Sequence, residues 1–271
     1  MRFSKQTVLA AFAMSFSVFA ASGLSAYPNG TPHYVTDAAP FCAACHSAVQ
    51  RETMRDMAGM AEGELAVYKH LLPIKDRTEA YQKMSAEDAK ALLAYVQAVD
   101  AAAKVSLEAP AKADKDGTIE VTAKFTGGTG PVVGLMLLDN NLRWESRSPA
   151  ADGWVIVDAP SITGPDGRPQ TRFLDHRGKG LKKNLSYVMV DGVEADVAAK
   201  RFAAGQVTWK LKAPRDPGNY TLAVAFLYGT EKGSPVGRGI VMPGIGQTPR
   251  GGFEGHSGRI LFSDLKKIEV K

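Results

Sequence analysis

The feature that most constrains this 271-residue chain is the stretch PFCAACHSAVQ at residues 40–50. It contains the only two cysteines, Cys42 and Cys45, and His46 directly follows the second one. Two thiols at this spacing serve as half of a zinc site, as a redox-active dithiol, as a disulfide or as the attachment point of a covalent haem. Each chemistry requires different surroundings, so the rest of the sequence can distinguish among them.

The surroundings argue against three of these four chemistries. A structural zinc site needs four ligands, usually as two such pairs, and no second pair occurs downstream. A thioredoxin-like dithiol follows a strand, whereas here Pro28, Pro32 and Pro40 precede the pair and a helix-like sequence follows it. A disulfide across so short a loop constrains the unfolded chain little and leaves His46 without a role.

Covalent haem attachment accounts for all three residues of the motif. It uses two thiols one helical turn apart, which bond the two vinyl groups, and an adjacent imidazole that reaches the iron. The sequence therefore predicts one haem c bound covalently by Cys42 and Cys45, with His46 as the proximal iron ligand.

Residues 1–26 have the organisation of a secretory signal peptide. Arg2 and Lys5 provide positive charge, TVLAAFAMSFSVFAA is the apolar run, and LSA ending at Ala26 suits a cleavage site. The run is shorter than the ~20 residues that span a membrane and serines interrupt it, so an uncleaved anchor is the weaker interpretation. The chain is expected to be exported, to a periplasm or an equivalent compartment, with no membrane span after signal removal.

Composition divides the mature chain near Lys104. Residues 27–103 are rich in Ala, Met and Glu in helical patterns, whereas Gly, Pro, Val and Thr are frequent in residues 104–271, where short alternating runs prevail. The first segment is net acidic and the second is net basic. The basic residues are spread out and lack interleaved aromatic residues, so no nucleic-acid partner is predicted.

Three helices are predicted in residues 27–103. The first begins at Thr36 or Asp37 and runs through the motif to about Met60, the second is GELAVYKHLLPI, and the third is SAEDAKALLAYVQAVDAA with Ser85 as its N-cap. The third helix has an apolar face suited to closing over a porphyrin edge, formed by Ala89, Leu92, Leu93, Val96, Val99 and Ala103.

With CxxCH near its start and an amphipathic helix at its end, this segment resembles the small monohaem cytochromes c. The resemblance covers residues 27–103 and implies an all-α, cytochrome c-like haem domain. Members of that family usually have a full helix before the motif, and PNGTPHYVTDAAP leaves little room for one. A shortened or rearranged variant is therefore expected.

The resemblance also implies that the sixth iron ligand lies on an extended segment ahead of the last helix. His70 is the only imidazole between Met60 and Ser85 and is the favoured distal ligand. Met84 is the alternative, although an apolar residue beside an N-cap usually packs as a hydrophobic staple. The remaining candidates, more consistent with packing or exposure, are Met54, Met57, Met60 and His33.

Residues 104–271 contain short runs rich in β-branched and aromatic residues, separated by Gly, Pro and Asp. In VTWKL, for example, Val207, Trp209 and Leu211 share one face of a strand. Such strands without intervening helices indicate an all-β antiparallel sandwich. The pattern looks like an immunoglobulin-like or fibronectin-like domain, and APRDPGNYTLAVAF is similar to the turn and penultimate strand of bacterial sandwich modules.

The second segment gives little sign of catalysis, and no catalytic residue is predicted. His256 and Ser257 lack the GxSxG pattern of a hydrolase. A copper site would require His176, His256 and Met242 to meet. The basic run RFLDHRGKGLKKN either attracts an acidic partner or forms a solvated loop.

These patterns predict an exported c-type cytochrome that transfers electrons through one covalent haem and is not an enzyme. The β-sandwich would dock a redox partner, either an acidic protein or a membrane complex. Two alternatives stay open: a haem-based ligand sensor, and a non-catalytic subunit of a periplasmic redox enzyme complex.

Overall fold

The computed structural model describes residues 70–141, 146–171, 185–230, 241–242, 246–247 and 259–271. Strands predominate in these ranges, which contain two α-helices. Within the described ranges, neither helix is long and apolar enough to cross a membrane. The signal predicted at 1–26, the haem motif and the helix predicted up to Met60 all lie outside them.

The described chain opens with a short helical segment. Helix α1 (Leu72–Asp76) has Pro73 in its first turn, where the missing backbone N–H costs no hydrogen bond. It ends at Arg77, whose φ of 53° turns the chain out of the helix. A short 3-10 helix (Glu79–Tyr81) then leads to the next element.

Helix α2 (Ala86–Ala102) begins at the N-cap predicted from the sequence, which is confirmed. The Oγ of Ser85 accepts a hydrogen bond from the backbone N–H of Asp88 at 3.0 Å and donates one to the Asp88 carboxylate at 2.8 Å. This satisfies one of the unpaired donors of the first turn. In this helix Ala89 and Val96 pack against Ile74 and Tyr81, and the four residues form a small apolar cluster.

Fifteen strands are present in the described ranges. They are β1 (Lys104–Glu108), β2 (Lys112–Ala113), β3 (Thr118–Thr126), β4 (Thr129–Leu138), β5 (Val155–Ile156), β6 (Ser161–Thr163), β7 (Tyr187–Val190), β8 (Ala195–Asp196), β9 (Arg201–Phe202), β10 (Ala204–Lys212), β11 (Gly218–Gly229), β12 (Val241–Met242), β13 (Gly246–Gln247), β14 (Arg259–Phe262) and β15 (Lys266–Val270). Two sheets contain most of them, while β8 pairs with β9 and β12 pairs with β13.

The first sheet has the order β1-β3-β10-β5, and β6 also pairs with β10. All of its pairings are antiparallel. The alternation predicted for β10 is confirmed, because Val207, Trp209 and Leu211 are all fully buried. Trp209 lies opposite Val121 of β3, so this face of the sheet forms part of the core.

The second sheet has the order β2-β15-β11-β4-β7, and β14 also pairs with β11. Its strands are antiparallel except for β2 and β15, which run parallel with Glu269 opposite Lys112. The sheet is therefore mixed. The parallel pair joins the start of this body to the last strand of the chain.

One apolar core joins the inner faces of both sheets. The rings of Phe125 on β3 and Phe226 on β11 are 5.0 Å apart between centroids. Val99 and Ala103, at the end of α2, belong to the same core. The helix is thus packed directly against the two-sheet body.

The outer face of the second sheet is also apolar and buried. It is formed by side chains of β4, β7, β11 and β14, which alternate with those that face the core. A strand buried on both faces has a continuous apolar sequence instead of an alternating one. The members of this outer cluster are Val132, Met136, Leu138, Tyr187, Met189, Ala225, Leu227 and Ile260.

The fold class expected from the sequence, an all-α cytochrome c-like haem domain followed by an all-β antiparallel sandwich, is wrong. The described ranges are mostly β-strand with only two helices. Helix α2 passes into β1 through Ala103, and its last turns share the core of the sheets through Val99 and Ala103, whereas its N-terminal part packs in the small helical cluster. The parallel pairing of β2 with β15 also departs from a purely antiparallel arrangement.

Candidate functional site

Two of the residues predicted to bind haem lie in the described ranges. These are His70 and Met84, the two candidates for the distal iron ligand. Cys42, Cys45 and His46 lie outside those ranges, and their assignment stays a prediction. Also outside them are the further candidates His33, Met54, Met57, Met60, His176 and His256.

His70 is fully buried and belongs to a polar network at one end of the second sheet. Its Nδ1 lies 2.7 Å from Nη2 of Arg259. The Nε of Arg259 in turn donates to the carboxylate of Asp100 at 3.2 Å. Tyr228 completes the network by donating its hydroxyl hydrogen to Oδ1 of Asp100 at 3.0 Å.

Four separate elements supply these side chains. His70 comes just before α1, and Asp100 is in the last turn of α2. Tyr228 and Arg259 lie directly opposite each other on β11 and β14, so their side chains lie on the same face of the sheet. The network therefore ties the helical segment to neighbouring strands of the second sheet.

The network holds a partly buried ion pair. The Arg259 side chain is 1% exposed and that of Asp100 is 21% exposed. Removing one partner of such a pair destabilises the fold, because a charge shielded from water then loses an opposite charge beside it. Burial, and next the negative charge of Asp100, raise the pKa of Tyr228 well above its usual value. Tyr228 is thus a neutral donor at ordinary pH.

The contact with Arg259 determines how the His70 imidazole is protonated. A guanidinium has only donors, so Nδ1 of His70 must accept and the proton of the neutral ring must be on Nε2. Neither nitrogen then offers a lone pair to a metal. The prediction that His70 is the distal ligand is not tested by this geometry, but it requires the bond to Arg259 to break.

Met84 lies just before the Ser85 cap of α2. Its side chain is half-buried and packs against the cluster of Ile74, Tyr81, Ala89 and Val96. Its backbone N–H donates to the carbonyl oxygen of Tyr81 at 3.0 Å. This is the position of a hydrophobic staple, and the role of Met84 as an alternative iron ligand stays a prediction.

A cavity of about 910 Å³ separates α2 from the β8–β9 hairpin. Leu92 and Tyr95 of α2 line one side, and Val197 and Phe202 are among the residues on the other. Arg201 and Asp196 also line it and pair with each other, with 2.6 Å between nitrogen and oxygen. Its volume is within the range of ordinary small-molecule sites, about 300–1,000 Å³.

Most of the helix face that was expected to cover a porphyrin packs against other parts of this chain. Ala89 and Val96 pack on the α1 segment, while Val99 and Ala103 join the core between the sheets. Leu92 is the member of that face that lines the cavity. Within the described ranges, no group of three or more His, Cys, Asp or Glu side chains is placed to hold a metal ion.

Sequence reasoning missed Asp100, Tyr228 and Arg259. One signal was available for Asp100: an acidic residue in the last turn of a helix opposes the helix dipole, and α2 has no basic residue there. Such a carboxylate needs a cationic partner from elsewhere. Its partner, Arg259, is distant in sequence and only the fold brings it close.

No family model and no curated protein matches the chain. Among solved structures, it is similar to a Pseudomonas fluorescens alkylpurine DNA glycosylase, AlkC, bound to DNA containing an abasic site analog, with 10% identity and a TM-score of 0.23. That alignment covers 87% of this chain and 54% of the glycosylase, so this chain spans about half of its length. Similarity this low supports no conclusion about fold or function.

These findings contradict the resemblance to a monohaem cytochrome c domain fused to an immunoglobulin-like or fibronectin-like sandwich. No family model of such a cytochrome matches. The described ranges are mostly β-sheet and lack a cluster of metal-binding side chains. The apolar helix that suggested the family packs on the α1 segment through Ala89 and Val96 and on the two-sheet body through Val99 and Ala103.

Proposed function

We propose that this chain is an exported redox protein that transfers electrons through one covalently attached haem. Cys42 and Cys45 would tether the group and His46 would bind its iron. The observation that supports the proposal is the CAACH motif itself, which holds the only cysteines of the chain and follows a signal-like N-terminus. The family fold inferred from the sequence plays no part in it.

The donor set suits this group. Two thiols one helical turn apart can form the two thioether bonds, and the adjacent imidazole provides a nitrogen for the iron. The haem would supply one-electron chemistry, while the chain holds it in place and controls its surroundings. The two-sheet body, with its extensive core, would present a rigid surface to a redox partner protein.

A specific observation favours a second function, that of a haem-based ligand sensor. His70 offers no lone pair to iron while it accepts a hydrogen bond from Arg259. If no other side chain takes the sixth position, a small gaseous ligand can bind there. Carbon monoxide distinguishes the two functions: rapid stoichiometric binding to the reduced protein supports the sensor, and lack of binding supports electron transfer.

Covalent haem is tested by expressing the full chain with its own N-terminus in a bacterium that attaches haem in its periplasm. The wild-type protein is expected to retain haem after denaturing electrophoresis, and Cys42→Ala with Cys45→Ala to lose it. Ser47→Ala, next to the motif, is the matched control and should retain haem. An exported wild-type protein without haem would refute the proposal. N-terminal sequencing is expected to start at Tyr27.

A further inference from the structure

We infer that His70 is a hydrogen-bond acceptor for the buried guanidinium of Arg259 and not a ligand of the haem iron. The iron's sixth position is then left to another group or to an exogenous ligand. The inference rests on the proposed function for its spectroscopic part only. The hydrogen-bonding part concerns residues 70, 100 and 259 directly.

The contact between His70 and Arg259 requires Arg259 to donate and His70 to accept. Arg259 has five N–H donors and no acceptor, so the 2.7 Å contact requires an unprotonated Nδ1 on His70. An imidazole that binds a metal through Nε2 instead carries a proton on Nδ1 and donates it to an acceptor. That proton would point at a donor of Arg259. Iron ligation and the observed bond are therefore mutually exclusive.

Both partners of this contact are shielded from water. His70 is 0% exposed and Arg259 is 1% exposed. If His70 turned towards an iron atom, a guanidinium shielded from water would lose a hydrogen bond that water cannot readily replace. Arg259 is itself fixed by its bond to Asp100 at 3.2 Å. Arg259 therefore has little freedom to move with His70 and keep the hydrogen bond.

The His70 ring also packs against an aromatic side chain. The centroids of the His70 and Tyr81 rings are 6.2 Å apart, with the planes inclined at 37°. Tyr81 belongs to the apolar cluster between α1 and α2 and is 1% exposed. The imidazole is therefore held between an aromatic ring and a guanidinium, and its rotation would disturb both.

The test compares two variants of the full-length, haem-loaded protein. His70→Asn places a side-chain oxygen near the position of Nδ1, so it can still accept from Arg259 but cannot replace an imidazole on iron. His70→Leu removes the acceptor as well. Thermal unfolding is expected to show a loss of Tm of about 3–10 °C for His70→Leu and a clearly smaller loss for His70→Asn, which gives up ring packing but keeps the acceptor. Both variants are expected to keep the wild-type haem spectrum and spin state.

Two results would overturn the inference. Conversion of a low-spin six-coordinate haem to a high-spin haem in both variants would identify His70 as the ligand. Equal Tm losses in the two variants would show that accepting a bond from Arg259 is not what His70 contributes. If the wild-type protein carries no haem, the proposed function fails, yet the comparison of Tm values still decides whether His70 serves Arg259.

Nitrogen-15 NMR of the histidine side chains provides a readout that packing alone would not alter. His70 is expected to show an unprotonated Nδ1 and a protonated Nε2, and Arg259→Met is expected to change that pattern by removing the donor. A protonated Nδ1 in the wild-type protein would contradict the inference.

Discussion

The hydroxyl group of Tyr228 on β11 donates a hydrogen bond to Oδ1 of Asp100 in α2, over 3.0 Å. The same carboxylate binds Arg259, which lies opposite Tyr228 on β14. A helix and two strands are therefore joined at one carboxylate. The stability of the contact between helix and sheet should depend strongly on it.

The first prediction concerns alkaline pH. The folded-state pKa of Tyr228 lies above the usual value of 10.0, so this tyrosine adds stability that is complete below pH 10 and is lost as pH rises towards the folded-state pKa. Tyr228→Phe is expected to cost about 0.5–1.5 kcal/mol at pH 7 and to flatten the fall in stability above pH 10. Urea denaturation at several pH values measures both effects.

The matched control for that experiment is Tyr220→Phe. The Tyr220 hydroxyl donates to the backbone oxygen of Asp216 at 2.8 Å in an exposed setting. Its removal should change stability little, because an exposed hydroxyl group can bond to water instead. Equal alkaline profiles for Tyr228→Phe and the wild type would contradict the prediction.

The second prediction concerns the counter-ion of Arg259. Asp100→Asn removes the negative charge beside a guanidinium that is 1% exposed, and it is expected to cost about 3 kcal/mol. Asp196→Asn is the control, because Asp196 pairs with Arg201 at the surface, where exposed pairs contribute about 0–1 kcal/mol. Chemical denaturation followed by circular dichroism measures both. Similar costs for the two variants would show that the buried pair has no special weight.

The third prediction concerns the close approach of Gly128 to Tyr228. Gly128 has φ of +70°, and a Cβ atom there would lie 2.6 Å from Cβ of Tyr228. Gly128→Ala is therefore expected to lower stability more than backbone strain alone, which costs about 1–2 kcal/mol. Gly192→Ala isolates that strain, since Gly192 has φ of +76° and no neighbour within 4 Å of the added atom. Equal losses in thermal unfolding would exclude a steric effect at Gly128.

The fourth prediction concerns Trp209 in the core. Its Nε1 donates to the carbonyl oxygen of Leu185 at 2.7 Å, and the side chain is fully buried. Trp209→Phe leaves a smaller ring and an oxygen without this donor, at an expected cost of about 2–4 kcal/mol. Lys210→Ala, on the exposed face of the same strand, should cost less than about 1 kcal/mol. Guanidinium denaturation compares the two, and a larger cost for Lys210→Ala than for Trp209→Phe would contradict the prediction.

Local signals in the sequence were reliable where one turn or one face decides the structure. Ser85 caps α2 through Asp88, three residues away, and β10 alternates because a single face of it meets the core. By contrast, β4 and β11 are apolar on both faces, so alternation could not reveal which residues form the outer cluster. The parallel pairing of Lys112 with Glu269 depends on the two ends of the body meeting.

The prediction of an all-α haem domain was wrong for a related reason. An apolar face shows that a helix packs against something, but it does not identify what it packs against. Val99 and Ala103 were interpreted as facing a porphyrin, and they face the core between the sheets. The network could not be found in the same way, because Asp100 and Arg259 are 159 residues apart.

The long sequence separation within this network also imposes an order on folding. His70 and Arg259 are 189 residues apart, so their contact cannot form until nearly the whole chain has been synthesised. Contacts this distant in sequence form slowly, because the loop between them must be closed before any bond is gained. During synthesis from the N-terminus, the segment that carries Cys42 and Cys45 therefore appears long before β14 exists to anchor His70.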